Sequence, residues 1–236
     1  LQIAAATIAD FFGGDVAAFQ QEAGGLFDGI RMVLDQQFAR LSSLEREILI
    51  WLAIEREAVT VQTLHSNLLH AIPMRDLLEA LQALQNRSLL EKRDSGLTLQ
   101  NVIIEYTTEY LVEQVYGEIM NDKVTSWQGD KLAEPSSHPV TQSPPHPVTL
   151  SFLNRFTLLK AQAKAYVRQS QARLILQPVA QQLLRRLGQS GLLMRTAELL
   201  DQLRKSAVRA PGYTAGNLLN LLLTLGLELT SYDFSN

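Results

Sequence analysis

Cysteine is absent from the 236 residues. That excludes a disulfide framework, a thiolate nucleophile and a cysteine-based zinc site, and it fits a cytoplasmic protein. Nor is there a Gly-Lys pair anywhere, so the GxxxxGK[ST] loop that cradles nucleotide phosphates is excluded. HExxH and GxSxG are missing too. Histidine is scarce: His65 and His70 are five apart, a poor geometry for one metal on a helix, and His138 and His146 lie in duplicated "HPVT". All four read as ordinary histidines, with no metal expected. No basic stretch precedes the first apolar residues, so no secretory leader is read. Leu1 in place of Met points to a chain trimmed from something longer. The most apolar run, Asn217 to Leu229, is too short and interrupted to cross a bilayer and reads as a buried helix.

What is present is a division of charge. Residues 1–120 hold 8 Lys and Arg against 17 Asp and Glu, a net of −9. Residues 151–211 hold 11 against 2, a net of +9. The simpler expectation is that the two lobes complement one another within the molecule. The alternative is that each faces a different partner. Glu45, Glu47, Glu55 and Glu57, interleaved with Arg46 and Arg56, read as a solvated helix face rather than as catalytic carboxylates.

Between the lobes, Asn121 to Leu150 holds five of the eight prolines. It is expected to be a disordered linker with a root-mean-square span of roughly 30 Å. Before it, helical periodicity dominates. Ile30, Val33, Leu34, Phe38 and Leu41 form one stripe. Ser42 and Glu45 have capping-box spacing ahead of a helix that carries Leu44, Ile48, Trp51 and Leu52 inward. "VTVQTLHSNLL" is a short second helix, and Pro73 opens a third with Leu77, Leu81 and Leu84 buried. The period then changes: "SLLEKRDSGLTLQN" reads as two short strands about Asp94 to Gly96. Three helices and a small hairpin make the order of a winged helix-turn-helix, followed by a long helix from Val102 to about Glu118.

After the linker, a helical bundle is expected. Phe152, Phe156, Leu159 and Ala163 make one stripe, with Lys160, Lys164 and Arg168 on another face. Pro178 should end that helix and start the next, which Gly188 should stop. Ser190 to Leu203 places Leu193, Ala197 and Leu200 inward, and a last helix runs from about Thr214 to Leu225. The fold class is thus mainly α, with a hairpin wing and a C-terminal bundle. In the closing "ELTSYDFSN", Leu229 and Phe234 are five apart, a weak repeat signal.

"LSSLEREILIWLAIEREAVTVQTL", "LLEALQALQNRSLLEKRDSGLTLQNVIIEYTTEYLVEQV" and "LNRFTLLKAQAKAYVRQSQARLILQPV" together resemble bacterial NB-ARC proteins. These are signal-transduction ATPases of the STAND class, which includes apoptosis-activating and plant disease-resistance proteins. The resemblance implies the end of a helical domain at 1–41, a winged-helix domain at 42–120, the linker at 121–150, a helical lobe at 151–228 and the entry to a pentapeptide or WD-type repeat domain at 229–236. It places the P-loop and Walker-B acids before Leu1, so this chain itself is expected to be non-catalytic and without a cofactor. In the longer parent, ADP or ATP would be bound. The implied partners are the parent's nucleotide-binding domain, further copies of the parent in a homo-oligomer, and proteins reached through the repeats.

In that family the wing ends in a Met-His-Asp-type motif whose His contacts the ADP phosphate. Leu99, Gln100 and Asn101 occupy those positions. The resemblance thus implies a nucleotide-sensing role for Gln100 and Asn101 in the parent. Asn101 is expected to cap the helix starting at Val102. Gln100 can still donate a hydrogen bond but cannot carry the charge of a His. The bland reading makes Gln100 a strand end and Asn101 a cap. A second functional class, a winged-helix regulator that binds nucleic acid, meets a −9 lobe whose third helix sets Arg75 against Asp76 and Glu79. Nucleic acid is therefore not the expected partner, although the +9 lobe keeps that alternative open. A third option is an adaptor whose lobes bind other proteins.

Overall fold

A computed structural model describes residues 31–69, 71–121, 151–205 and 212–227. Residues 31–41 belong to one unit, and residues from Ser42 to Asn121 and from Ser151 onward to a second. In the first, helix α1 covers residues 31–39, with Leu34, Phe38 and Leu41 buried. Val33, expected on that stripe, is 54% exposed, because it lies one position off the spacing that joins Leu34 to Phe38. Ile30 lies outside the described residues.

The second unit is mainly helical, with one two-stranded sheet among the described residues. Helix α2 (Ser43–Glu55) opens on the expected reciprocal cap: the Glu45 amide donates to Ser42 Oγ at 3.2 Å, and the Ser42 amide to Glu45 Oε2 at 2.6 Å. From Glu47 to Glu55 every residue is buried. The solvated face expected for Glu45, Glu47 and Glu55 therefore does not exist, since α2 is enclosed by neighbours on all sides. Leu44 is only half-buried, at the mouth of this core.

Helices α3 (Val61–Asn67) and α4 (Met74–Asn86) follow, with Leu64, Leu77, Leu81 and Leu84 buried. Strands β1 (Glu91–Arg93) and β2 (Gly96–Thr98) pair antiparallel, Lys92 opposite Leu97. Val59, between α2 and α3, adds a third short extended segment by exchanging both backbone hydrogen bonds with Leu97, at 2.9 and 2.8 Å. Gly96 makes that possible. Its φ is +131°, and a Cβ there would sit 2.4 Å from the Val59 carbonyl oxygen. Helix α5 (Asn101–Met120) then runs back across the unit.

Beyond the proline-rich segment, of which 122–150 lie outside the described residues, the expected single helix does not form. Helix α6 (Ser151–Arg155) is one turn and a half, and residues 156–164 are irregular. Phe152, Phe156, Leu159 and Ala163 therefore do not share one helical stripe. Buried Asn217 holds this stretch in place: its Nδ2 donates to the carbonyls of Leu153 and Phe156 at 2.8 and 2.7 Å, and its Oδ1 accepts from the Leu158 amide at 2.9 Å. Three backbone groups that no helix satisfies are satisfied by one amide.

Helix α7 (Ala165–Gln171) passes through a π-turn (Ala172–Leu176) directly into α8 (Gln177–Lys205). Pro178 does not end a helix as expected. The wider turn, in which the Gln177 amide reaches the Ala172 carbonyl, gives the ring room and removes the need for the N–H that proline lacks. Gly188 does break the path, with φ 67° and ψ 175°. The break resets the helical phase, so Leu192, Thr196, Leu199 and Leu200 point inward, whereas of the expected set Leu193 is half-buried and Ala197 exposed. Helix α9 (Thr214–Thr224) closes the unit. Leu229 and Phe234 lie outside the described residues. Among the described residues no helix is long and apolar enough to cross a membrane.

Asn217→Ala should leave two carbonyls and an amide buried without partners. We expect a loss of about 3 kcal/mol, read in urea titration as a lower midpoint at unchanged slope, with Asn217→Asp no better because a carboxylate cannot donate.

Candidate functional site

Two places gather side chains that could do more than pack: the head of α5 and the seam where the acidic half meets the basic half.

At the head of α5, Leu99 is buried and fixes the end of the hairpin. Gln100 has extended backbone (φ −63°, ψ 148°) and holds the N-cap position, its carbonyl accepting from the Ile104 amide at 2.9 Å. The expected cap at Asn101 is therefore displaced by one residue: Asn101 is already helical. Neither Gln100 nor Asn101 caps through its side chain, and both are exposed. Two amide side chains thus stand beside first-turn N–H groups that have no side-chain partner, at the positive end of a 20-residue helix. This donor set fits an anion and offers no carboxylate to repel one.

The seam carries most of the polar chemistry. Glu55, at the buried end of α2, accepts from Lys160 Nζ at 2.5 Å and from Asn67 Nδ2 at 2.6 Å, and Lys160 also reaches Asn67 Oδ1 at 3.2 Å. The Lys160 side chain is 19% exposed, so this is a shielded pair, with Asn67 bonded to both partners. Next to it, buried Gln171 donates to the Ile54 carbonyl at 2.8 Å and accepts from the Lys160 amide at 3.0 Å. Further out, Glu57 accepts from the Tyr166 hydroxyl at 2.6 Å and from Lys164 at 2.9 Å. The Tyr166 hydrogen bond, and then the Lys164 one, hold the Glu57 carboxyl below its usual range, and the same carboxylate holds the Lys164 ammonium above its own. Arg155 approaches Glu47 at 3.9 Å.

At the other end of α5, Glu118 accepts from the Phe152 and Leu153 amides at 2.8 and 2.9 Å, and Arg195 donates to the Ile119 carbonyl at 2.6 Å. An apolar seam runs alongside: Tyr110, Phe152, Phe156, Trp51 and Tyr213 meet in sequence, tilted or edge to face, with ring centroids 5.6–5.9 Å apart. The two charge-opposed segments thus complement each other within the molecule, the simpler of the two expectations.

Arg56 follows α2 in the left-handed region (φ 58°) and donates to Thr108 Oγ1 at 2.8 Å. Burial lowers its pKa, opposed by Glu105 and reinforced by Arg173. Sequence reasoning missed Asn67, Gln171 and Tyr166, because nothing local marks them. Glu55 meets Lys160, Glu57 meets Tyr166 and Gln171 meets the Ile54 carbonyl across more than 100 positions, and Asn67 reaches Glu55 from the next helix. His65 is half-buried with Nε2 2.8 Å from the Ile72 carbonyl, an ordinary histidine as read. His70, His138 and His146 lie outside the described residues. Among the described residues no cluster of His, Cys, Asp or Glu could hold a metal ion.

No protein-family model matches the chain, and neither does any solved structure. An uncharacterized WD repeat-containing protein of Nostoc sp. (strain PCC 7120) is 42% identical over 246 residues, an alignment that covers 100% of this chain and 20% of that relative. The chain spans about a fifth of the length of the curated relative it matches.

Lys160→Ala strands the Glu55 carboxylate and should cost about 3 kcal/mol, while Lys160→Met with Glu55→Leu should recover most of that loss in the same chemical denaturation. For the outer clasp the sign is that of a depressed carboxyl. Glu57 contributes stability above its unfolded pKa and loses it as pH falls through the folded one. Tyr166→Phe should move the Glu57 carbon NMR titration midpoint upward; an unmoved midpoint would show that the hydroxyl does not hold it.

Proposed function

We propose that this chain is the non-catalytic regulatory part of a signal-transduction ATPase of the NB-ARC class, built from a winged-helix module and a helical lobe that precede a repeat domain. The observation that carries the reading is the exposed, uncapped head of α5, where Gln100 and Asn101 stand beside free N–H groups. Support for the winged helix comes from element order: helix, a single bridging residue at Val59, two helices, then a hairpin whose second strand pairs with that residue. Support for the repeat domain comes from the printed name of the Nostoc relative, which extends well beyond the match and is WD repeat-containing. Partners are then the nucleotide-binding domain of the longer protein, further copies of that protein and proteins reached through the repeats.

In this reading the nucleotide belongs to the other domain and supplies a phosphate. Gln100 donates to it from the hinge, and the first turn of α5 adds the favourable end of its dipole. The chain acts as a latch that closes on the ADP-bound domain and is released when ATP takes its place, freeing surfaces for assembly. No atom of this chain takes part in hydrolysis.

The nucleic-acid alternative loses its main support once charges are traced. Lys160, Lys164, Arg155 and Arg195 are engaged by acids or carbonyls of the first half. A phosphate-binding surface of ordinary strength uses roughly 6–10 cationic contacts.

The 236-residue chain should turn over no ATP. In the longer protein, Gln100→Ala should weaken ADP binding several-fold, measured by calorimetry, and Gln100→His should make that affinity depend on pH near neutrality. ADP affinity unchanged in both variants would remove the phosphate role.

A further inference from the structure

Residues 151–197 contain no Asp or Glu and eight Lys and Arg. Arg155, Lys160 and Lys164 pair with Glu47, Glu55 and Glu57, Arg195 with Glu198 and the Ile119 carbonyl, and Arg168 spans the carbonyls of Ala161 and Ala163. Three cations remain: Arg173, Arg185 and Arg186, all exposed and without a hydrogen bond or ion pair to another of the described residues, Arg173 lying near enough to Arg56 to act on its charge. They lie on the continuous helical run that leads from α7 through the π-turn to the break at Gly188.

That run buries Ile175, Leu176, Val179, Ala180 and Leu183. Its opposite side is Arg173, Leu174, Gln177, Gln181, Leu184 and Arg185, all exposed, Leu174 at 38% and Leu184 at 37%. At 100° per residue the last four fall within about a third of the circumference, and the first two join the same side across the wider π-turn. Arg173 and Arg185 are about 18 Å apart along the axis. The side therefore offers two guanidinium forks, two amides and two leucines, and no residue of 151–197 adds an acid to it.

We propose that this outer side of the α7–α8 run is a docking surface for an acidic amphipathic helix of another protein. Charge complementarity selects an anionic occupant. The composition selects protein over nucleic acid: the two arginines of this side would engage about two phosphates, too few for a nucleic-acid surface of ordinary strength, and leucines beside the forks find no match on a phosphodiester backbone. Guanidinium groups fit carboxylates two bonds at a time, which gives the contact direction as well as attraction. A surface three to four turns long makes a transient contact rather than a permanent one.

Fluorescence anisotropy on the 236-residue chain tests it with a labelled helical peptide carrying Glu and Leu on one face and Gln and Ser elsewhere. The controls are a scrambled peptide of the same composition and a 20-base-pair duplex. The ordered peptide should bind about tenfold more tightly than the scrambled one. Arg173→Gln with Arg185→Gln should abolish the difference, and so should Leu174→Ser with Leu184→Ser, circular dichroism showing each variant folded. Equal binding of the two peptides, no binding at low ionic strength, loss on removing the arginines but not the leucines, or preferential binding of the duplex would each overturn the proposal.

Discussion

The Glu55 carboxylate closes α2 at a point largely shielded from water, and among the described residues the cation that satisfies it comes from 105 residues downstream. A buried charge left alone is costly, by several kcal/mol, so the acidic half is incomplete until Lys160 arrives. Neighbouring contacts share that dependence. The Ile54 carbonyl, an orphan of the helix end, is met by Gln171, and Trp51 packs against Phe156 and Tyr213. The three-helix-plus-hairpin piece is thus not a free module tethered to another. Its central helix is the core of both halves.

This changes what the proline-rich segment can mean. By composition it is a tether able to span roughly 30 Å. Yet its flanks are tied together: Glu118, three residues before Asn121, accepts from the amides of Phe152 and Leu153 just past Ser151. A carboxylate at the tail of α5 caps the head of α6, so the separation the tether permits is not used.

What could be read from the sequence follows how local each interaction is. The Ser42–Glu45 box, the Gly96 turn and the Gly188 break are decided within a few residues, and each stands where the spacing put it. The glutamates of α2 depart from expectation because an i, i+4 pattern cannot reveal a partner beyond the next turn. Pro178 departs from expectation because a π-turn has no sequence signature that outweighs the usual rule for proline. In α8 Leu200 is buried as expected, but Leu192 and Thr196 take the places expected of Leu193 and Ala197, because a break of unknown geometry erases helical phase. At the head of α5 the positions of Gln100 and Asn101 could be read from the change of period after Leu99, but which residue took the N-cap could not, since two adjacent amides are near-equivalent candidates.

Helix α5 joins the two candidate regions. Its head bears Gln100 and Asn101, and its tail bears Glu118 and Ile119, the acceptors of the second half's amides and of Arg195. Twenty helical residues span about 30 Å, and the ring stack from Tyr110 through Phe152 to Trp51 braces that length from the side. In the proposed latch, a shift imposed on the hinge by the nucleotide-binding domain therefore meets no soft joint before it reaches α8. The helix behaves as a strut rather than a spacer. The π-turn and the Gly188 break lie beyond it, next to the arginines that face outward.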